Sequence, residues 1–367
     1  MKRILIFTAL FFIFALKAGA ASDNFGADEL INTLPDEVRE KLQEHEITPD
    51  NAGALSLSPF SVIQGLWNVF ADEVTRPLKM LAALTGIVLL CAVAESLGDT
   101  KAQGKSVSDT FGIIGVLAGA GMMIAYISEC VARALQTLNS GSVFLLTFVP
   151  VFAGIMAVCG QLTTASVFSM SLITAGQAFT YISSVFLAPL VSCMLGIGVA
   201  GAVNPDLKIE RLSDTVKTAV IWVLGLLVTV FTGLLSLQSF VSTSADTVAL
   251  RAMKFTVSNS VPIVGGAVSD ALATVRGSLG LLRSSTGTFG IIAGLMLIVP
   301  SLISVFCHKI ALQLAASVCE IFGVFRLAAL LRCGENVMRI IFAMLFSFTL
   351  ILIISVALML VIWNGGV

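Results

Sequence analysis

Apolar runs long enough to cross a hydrocarbon core recur along the chain at about 77–97, 111–131, 143–161, 163–183, 185–203, 218–240, 288–307 and 338–363. They predict an all-α, polytopic integral membrane protein with about eight transmembrane helices, within a range of seven to nine. A ninth candidate, 310–331, is interrupted by Glu320 and Arg326 and reads equally as a surface or bundle-facing amphipathic helix. Residues 134–205 carry no charge at all, which leaves room for three spans joined by tight hairpins. Ahead of the spans the pattern changes. Pro35 opens a short stretch with Val38 and Leu42 on one stripe and acids around it, the pattern of a small solvated helix. Ser58-Pro59 opens another, with Phe60, Ile63, Trp67, Phe70 and Val74 on a single apolar stripe. That stripe suits a helix on the membrane surface or against a partner, or the first turns of a longer helix entering the bilayer.

The amino end has the features of an export signal. Lys2 and Arg3 precede the apolar run Ile4–Leu16, and Ala18-Gly19-Ala20 supplies the small residues a signal peptidase accepts, so cleavage is expected after Ala20. The expected organisation is a cleavable signal peptide (1–20), an acidic extracytoplasmic segment with amphipathic helices (21–76), transmembrane helices one to six (77–240), a broken apolar segment with re-entrant character (241–287) and the carboxyl-terminal transmembrane helices (288–367).

Composition agrees with lipid as the solvent: 57% of residues are hydrophobic, 12% are charged, and the mean hydropathy is +1.00. The formal net charge is -1, half of the 22 acids lie between residues 21 and 76 and no positive block occurs, so nucleic-acid binding by charge is not expected. Arg251, Lys254, Arg276 and Arg283 lie in a segment that an exported amino end would leave outside, against the positive-inside tendency. One more crossing or a re-entrant turn would resolve the conflict.

Site chemistry is sparse. The seven cysteines lie in or beside apolar runs, no CxxC occurs, and the two histidines, His45 and His308, are far apart, so neither a disulfide framework nor a metal site is expected. Gly98 to Ser106 approaches a phosphate-binding loop, but the required first glycine is Asp99 and no strand precedes it, so no nucleotide is expected. GxSxG and HExxH are absent. No catalytic residue, cofactor or metal is assigned. The candidates that remain are ionisable groups in apolar surroundings: Glu95, Glu129, Arg133, Asp270, Glu320 and Arg326, each costly in lipid unless paired or wet. Glu129 and Arg133 stand four apart and can pair on one helix face. Gly115 with Gly119, and Gly290 with Gly294, would let helices approach closely, although 31 glycines make such pairs common by chance. Pro150, Pro189 and Pro300 lie inside spans.

Most distinctive is Lys254-Phe-Thr-Val-Ser-Asn-Ser-Val-Pro262-Ile-Val-Gly265-Gly266-Ala-Val-Ser-Asp270-Ala-Leu272. Pro262 and the glycine pair keep it from being one regular helix. It reads either as a broken hairpin dipping into the membrane, with Ser258, Asn259 and Asp270 lining a polar path, or as a surface loop leading into an amphipathic helix over 267–282. This run, with the signal, the acidic segment and the multi-span body, resembles the stage III sporulation protein AE family of endospore-forming bacteria. The resemblance implies a multi-pass protein of the mother-cell membrane around the forespore. It also implies partners among other stage III sporulation membrane proteins, in a channel or secretion-like complex needed for late forespore development, with self-association allowed. A scaffold without a conducting path, or a stand-alone secondary transporter, are the alternative readings.

Overall fold

The computed structural model describes residues 27–44, 47–48, 59–98, 105–204, 209–260 and 265–361, and among them no strand occurs. In chain order the helices are α1 (Ala27–Asn32), α2 (Asp36–Glu44), α3 (Pro59–Gly98), α4 (Lys105–Val158), α5 (Leu162–Ile182), a π-helical turn (Ser183–Leu187), α6 (Ala188–Val203), α7 (Ile209–Ser260), α8 (Gly265–Ile321) and α9 (Phe325–Val361). Among the described residues, six helical stretches are long and apolar enough to cross a membrane: Glu73–Val93, Gly112–Val158, Leu162–Val203, Arg211–Ala252, Leu279–Ile321 and Phe325–Leu360.

The eight apolar runs thus fall on six rods. The runs 111–131 and 143–161 share α4, because Asn139-Ser140-Gly141-Ser142 between them contains no proline and the helix keeps one face buried through it. Its buried positions continue through that stretch as Val116, Ala120, Met123, Ile127, Cys130, Ala134, Leu138, Gly141, Leu145, Phe148 and Phe152, a spacing of three and four throughout. The runs 163–183 and 185–203 form a second continuous rod. Pro189 has no N–H to give, and the π turn just before it absorbs the lost bond, with the Ala188 N–H reaching back to the Ser183 carbonyl. The uncharged stretch 134–205 therefore contains one hairpin, not two. Hydropathy windows are set by bilayer thickness, whereas helix continuity is set by local breakers. At 54 residues, α4 is about 81 Å long at 1.5 Å per residue, well beyond the ~30 Å of a hydrocarbon core.

Two hairpins close with the same C-terminal motif. After α4, Gly160 has φ 86°, the Gly160 N–H donates to Ala157 O (2.9 Å) and the Gln161 N–H to Met156 O (3.0 Å). After α8, Gly323 has φ 80°, with Gly323 N–H to Glu320 O (3.2 Å) and Val324 N–H to Cys319 O (2.9 Å). Glycine adopts this left-handed conformation without a Cβ penalty. The 310–331 candidate is accordingly no ninth span. It is a hairpin, the end of α8 turning at Gly323 into α9.

The core sits around α9, which packs most extensively on α8 and also against α4, α6 and α7. In its most apolar stretch 61% of α9 is buried, against 11% for α7, which stands at the edge of the bundle. Close approach is made at glycines. A methyl added at Gly115 would strike Cys91, at Gly119 Leu327, at Gly290 the Phe148 ring, and at Gly294 Leu352. Both small-residue pairs therefore serve packing. Phe148 lies in a stack with Phe144 and Phe152, ring centroids 5.4 and 5.5 Å apart. Six of the seven cysteines are buried and Cys193 is exposed.

The amino-terminal pair packs by its apolar stripe and keeps its polar face, with Asp36, Glu40 and Lys41, exposed. Val38 is 7% exposed and Leu42 1%, and α1 and α2 lie against α4 and α8. Arg39 donates to the carbonyls of Asn32 (2.9 Å) and Ile31 (3.3 Å), satisfying the end of α1. The stripe from Phe60 to Val74 lies on the first part of α3, continuous with the following span.

Candidate functional site

Polar side chains collect at two heights of the bundle. At the lower one, Glu129 Oε1 on α4 accepts from Arg76 of α3 (2.9 Å) and from Arg133 (2.8 Å), the expected pair one turn on, while Arg133 lies 3.7 Å from Glu73. Beside them on α8, buried His308 has Nδ1 2.8 Å from the Ser304 carbonyl and its ring 6.4 Å from that of Tyr126. One turn further along α4, Thr137 and Ser301 share a 2.6 Å hydrogen bond. The close approach of Gly334 to Met123 and Ile127 brings α9 to this same height. There Glu335 accepts from Arg339 (2.6 Å), and Asn336 donates to Asp214 (3.0 Å) and Ser213 (3.1 Å) of α7. Lys217 closes that group, donating to Asp214 (2.7 Å) and Asn336 (3.0 Å). Each charge in this belt has an opposite neighbour, which offsets the cost of bringing it next to apolar surface.

The upper height is a clamp on the α4–α5 hairpin. Helix α5 has no side-chain cap of its own. Asp246 of α7, 4% exposed, supplies one from outside: Oδ1 accepts the Thr163 N–H and Oδ2 the Thr164 N–H, both at 2.9 Å. These are first-turn donors that a helix leaves open, and an anion is favoured there. Arg283 of α8, 1% exposed, donates to Gln161 Oε1 (2.8 Å) and to the Met359 carbonyl near the end of α9. One arginine thus ties α8, the hairpin and α9 together.

Between belt and clamp lies a layer without charge. No Asp, Glu, Lys or Arg falls between Arg133 and Val158, Lys217 and Asp246, Arg283 and His308, Arg339 and Met359, or within Leu162–Val203. At 1.5 Å per residue the first four stretches are about 30–44 Å long. The belt and clamp residues escape a run-by-run reading of hydropathy. Arg283 entered only as one of four bases in a troublesome segment, and Asp246 and Lys217 not at all. The available signal was the matched length of uncharged stretches in separate helices.

The sequence-selected residues do not converge. Glu129 and Arg133 are in the belt. Glu320 is in the last turn of α8, not mid-span, and its partner is Arg332 (Nε to Oε1 2.7 Å) because the Gly323 turn folds α9 back alongside; Arg326 is half-buried in the first turn of α9. Glu95 lies in the last turns of α3, Ser258 and Asn259 in the last turn of α7, and Gly265, Gly266 and Asp270 at the start of α8. Pro262 and Ala20 lie outside the described residues. The chain is thus helical up to Ser260 and again from Gly265. Among the described residues, no three His, Cys, Asp or Glu side chains gather as a metal site would require.

Long apolar helices, tight hairpins and ion pairs gathered at one height define a multi-pass helical membrane protein. The model of the stage III sporulation protein AE family matches residues 44–362, and the chain belongs to that family. It is 22% identical over 276 residues to stage III sporulation protein AE of Bacillus subtilis (strain 168), covering 74% of this chain and 68% of that protein. No solved structure matches.

Proposed function

We propose that this protein is a pore-forming or permease-like membrane subunit of a sporulation complex that joins mother cell and forespore and sustains late forespore development. It acts in the mother-cell membrane around the forespore, with other stage III sporulation membrane proteins as partners. Membership of the family supports the sporulation role. The charge-free layer supports the membrane role: its height fits a hydrocarbon core of ~30 Å with its headgroup zones, ~40–45 Å in all. In this reading the belt and the clamp lie at the two headgroup levels, where paired charges and amides keep water.

The runs 77–97 and 111–131 then do not cross: α3 beyond Arg76, which holds most of the apolar stretch Glu73–Val93, stands outside the bilayer below the belt with the start of α4 and the α8–α9 hairpin. Their exposed Leu90, Leu117, Ile321 and Phe325 suit burial against partner subunits. The chain acts as a conduit and not as an enzyme, so energy for active transport comes from a separate motor. The test is depletion of the protein from sporulating cells, with late forespore expression and heat-resistant spores as readouts. Both should fall while the mother cell stays viable, and unchanged expression and spore yield would contradict the proposal.

A further inference from the structure

Where α8 and α9 lie side by side, one strip of their outward surface carries three phenylalanines and ends in two cations. The helices run antiparallel, and Phe306 of α8 meets Phe342 of α9 with ring centroids 5.8 Å apart. Phe342 stacks in turn on Phe346, at 6.0 Å. Phe306 is 41% and Phe346 44% exposed, and Phe342 is half-buried. Lys309 comes three residues after Phe306, and Arg339 three before Phe342. Because the helices run in opposite directions, both cations stand one turn past the ring pair at the same end. That end is the belt, since Lys309 follows His308. The rings extend the other way, into the charge-free layer, and Phe346 lies about 10 Å above Arg339 at 1.5 Å per residue.

The charge of the two cations is left to face outward. Lys309 Nζ lies 5.6 Å from the Phe306 ring centroid and has no acidic partner among the described residues. The other acids at this height are paired elsewhere: Glu129 with Arg76 and Arg133, Glu73 with Arg133, and Asp214 with Lys217. Arg339 donates through Nε and Nη2 to one oxygen of Glu335, but the acid is 10% exposed and the guanidinium side chain 39%. The carboxylate therefore lies beneath, and the group turned outward is positive. Lys217, by contrast, is 14% exposed and held by Asp214.

We propose that this α8–α9 strip binds an anionic phospholipid, its phosphate held by Lys309 and Arg339 and one acyl chain lying along Phe306, Phe342 and Phe346. The proposal rests on the bilayer placement given above, with the belt at headgroup level. Ammonium and guanidinium groups both bind phosphate oxygens, and basic groups between membrane helices at the headgroup level suit acidic lipids. A free phosphate would satisfy the cations and leave the aromatic strip uncovered. A zwitterionic lipid would cover the strip but brings its own cation to the phosphate. An acidic lipid meets both parts.

The test uses the purified full chain in phosphatidylcholine liposomes that contain a trace of phosphatidylglycerol with a photoreactive group in its acyl chain. Adducts are located by mass spectrometry, and a phosphatidylcholine probe with the same acyl chain is the control. The phosphatidylglycerol adducts should concentrate on the segments holding Phe306 and Phe342 to Phe346. Lys309→Gln should reduce them about fivefold, the worth of one cation toward an acidic lipid surface, and Lys309→Arg should retain them. Glu335→Gln together with Arg339→Gln removes the guanidinium without stranding its acid, and should reduce the adducts by a similar factor. Arg251→Gln, which removes an exposed charge beyond Asp246 at the clamp end of α7, should change nothing. Equal adducts from the two probes on this strip, or equal losses in Lys309→Gln and Arg251→Gln, would overturn the site and leave the bilayer placement standing. Adducts from both probes concentrated on the apolar tip below the belt would overturn the placement itself, and the site with it.

Discussion

Replacing Asp246 with Ala should open the α4–α5 hairpin. The carboxylate accepts two backbone N–H groups at 2.9 Å from within the bundle. Alanine leaves both donors without this partner, the Thr164 N–H in a buried site and the Thr163 N–H in a part-buried one. At about 1–3 kcal/mol for the buried Thr164 donor left unpaired and about 1 kcal/mol for the part-buried Thr163 donor, the loss is about 2–4 kcal/mol, and Asp246→Asn, which keeps one acceptor oxygen, should lose about half. The natural reporter is Cys159, which is 0% exposed and sits in the same turn. If its reaction with a thiol reagent requires local opening, a loss of about 2–4 kcal/mol speeds modification by a factor on the order of 10². The measurement is the rate of Cys159 modification in detergent-solubilised protein, compared among wild type, Asp246→Asn and Asp246→Ala. Equal rates in all three would show that the Asp246 bonds do not hold the hairpin.

Three other substitutions bear on packing and hairpins. Gly323→Ala should cost about 1–2 kcal/mol through the left-handed backbone alone, since nothing lies within 4 Å of the added methyl; the thermal unfolding midpoint in detergent reads it, and an unchanged midpoint would count against the hairpin geometry. Gly290→Ala should lower the same midpoint by collision with the Phe148 ring, and Phe148→Leu in the same chain should recover part of the loss; no recovery would mean the contact is misassigned. Glu320→Gln should leave the protein in the membrane, because its pair with Arg332 is half-exposed and worth about 0–1 kcal/mol. Impaired sporulation in that strain, restored by the double reversal Glu320→Arg with Arg332→Glu, would assign the pair a working role. Normal sporulation in the single variant would show the pair to be a surface contact only.

The helical class and the extent of the apolar surface could be read directly from hydropathy, because nothing but helices satisfies the backbone across runs of that length. Helix joins could not. Asn139 to Ser142 resembles a turn by composition, yet the stripe from Ala134 through Leu138 and Gly141 to Leu145 keeps one face buried and carries α4 through it. Pro189 stands inside an apolar run, and the helix accommodates it with a π turn that hydropathy does not show. Gly160 and Gly323 were the informative glycines, each one or two positions past a helix end, whereas Gly290 and Gly294, which looked like chance spacing, pack against Phe148 and Leu352. Among the ionic groups, the Glu129–Arg133 pair was legible because it is local. Its extension to Arg76 and Glu73, the capping of α5 by Asp246, and the pairing of Glu320 with Arg332 depend on antiparallel register between helices, which one chain's local pattern does not encode.

The central claim is that the uncharged layer between the Arg133 belt and the Arg283 clamp, and not the apolar tip below the belt, is the part in the bilayer. Spin labels at Leu146 and Leu234 in the layer, and at Leu90 and Leu117 in the tip, would measure this in liposomes through their relative exposure to oxygen and to a water-soluble relaxant. The account predicts the greatest depth at Leu146 and Leu234, with Leu90 and Leu117 outside the hydrocarbon. Greatest depth at Leu90 and Leu117 would contradict it.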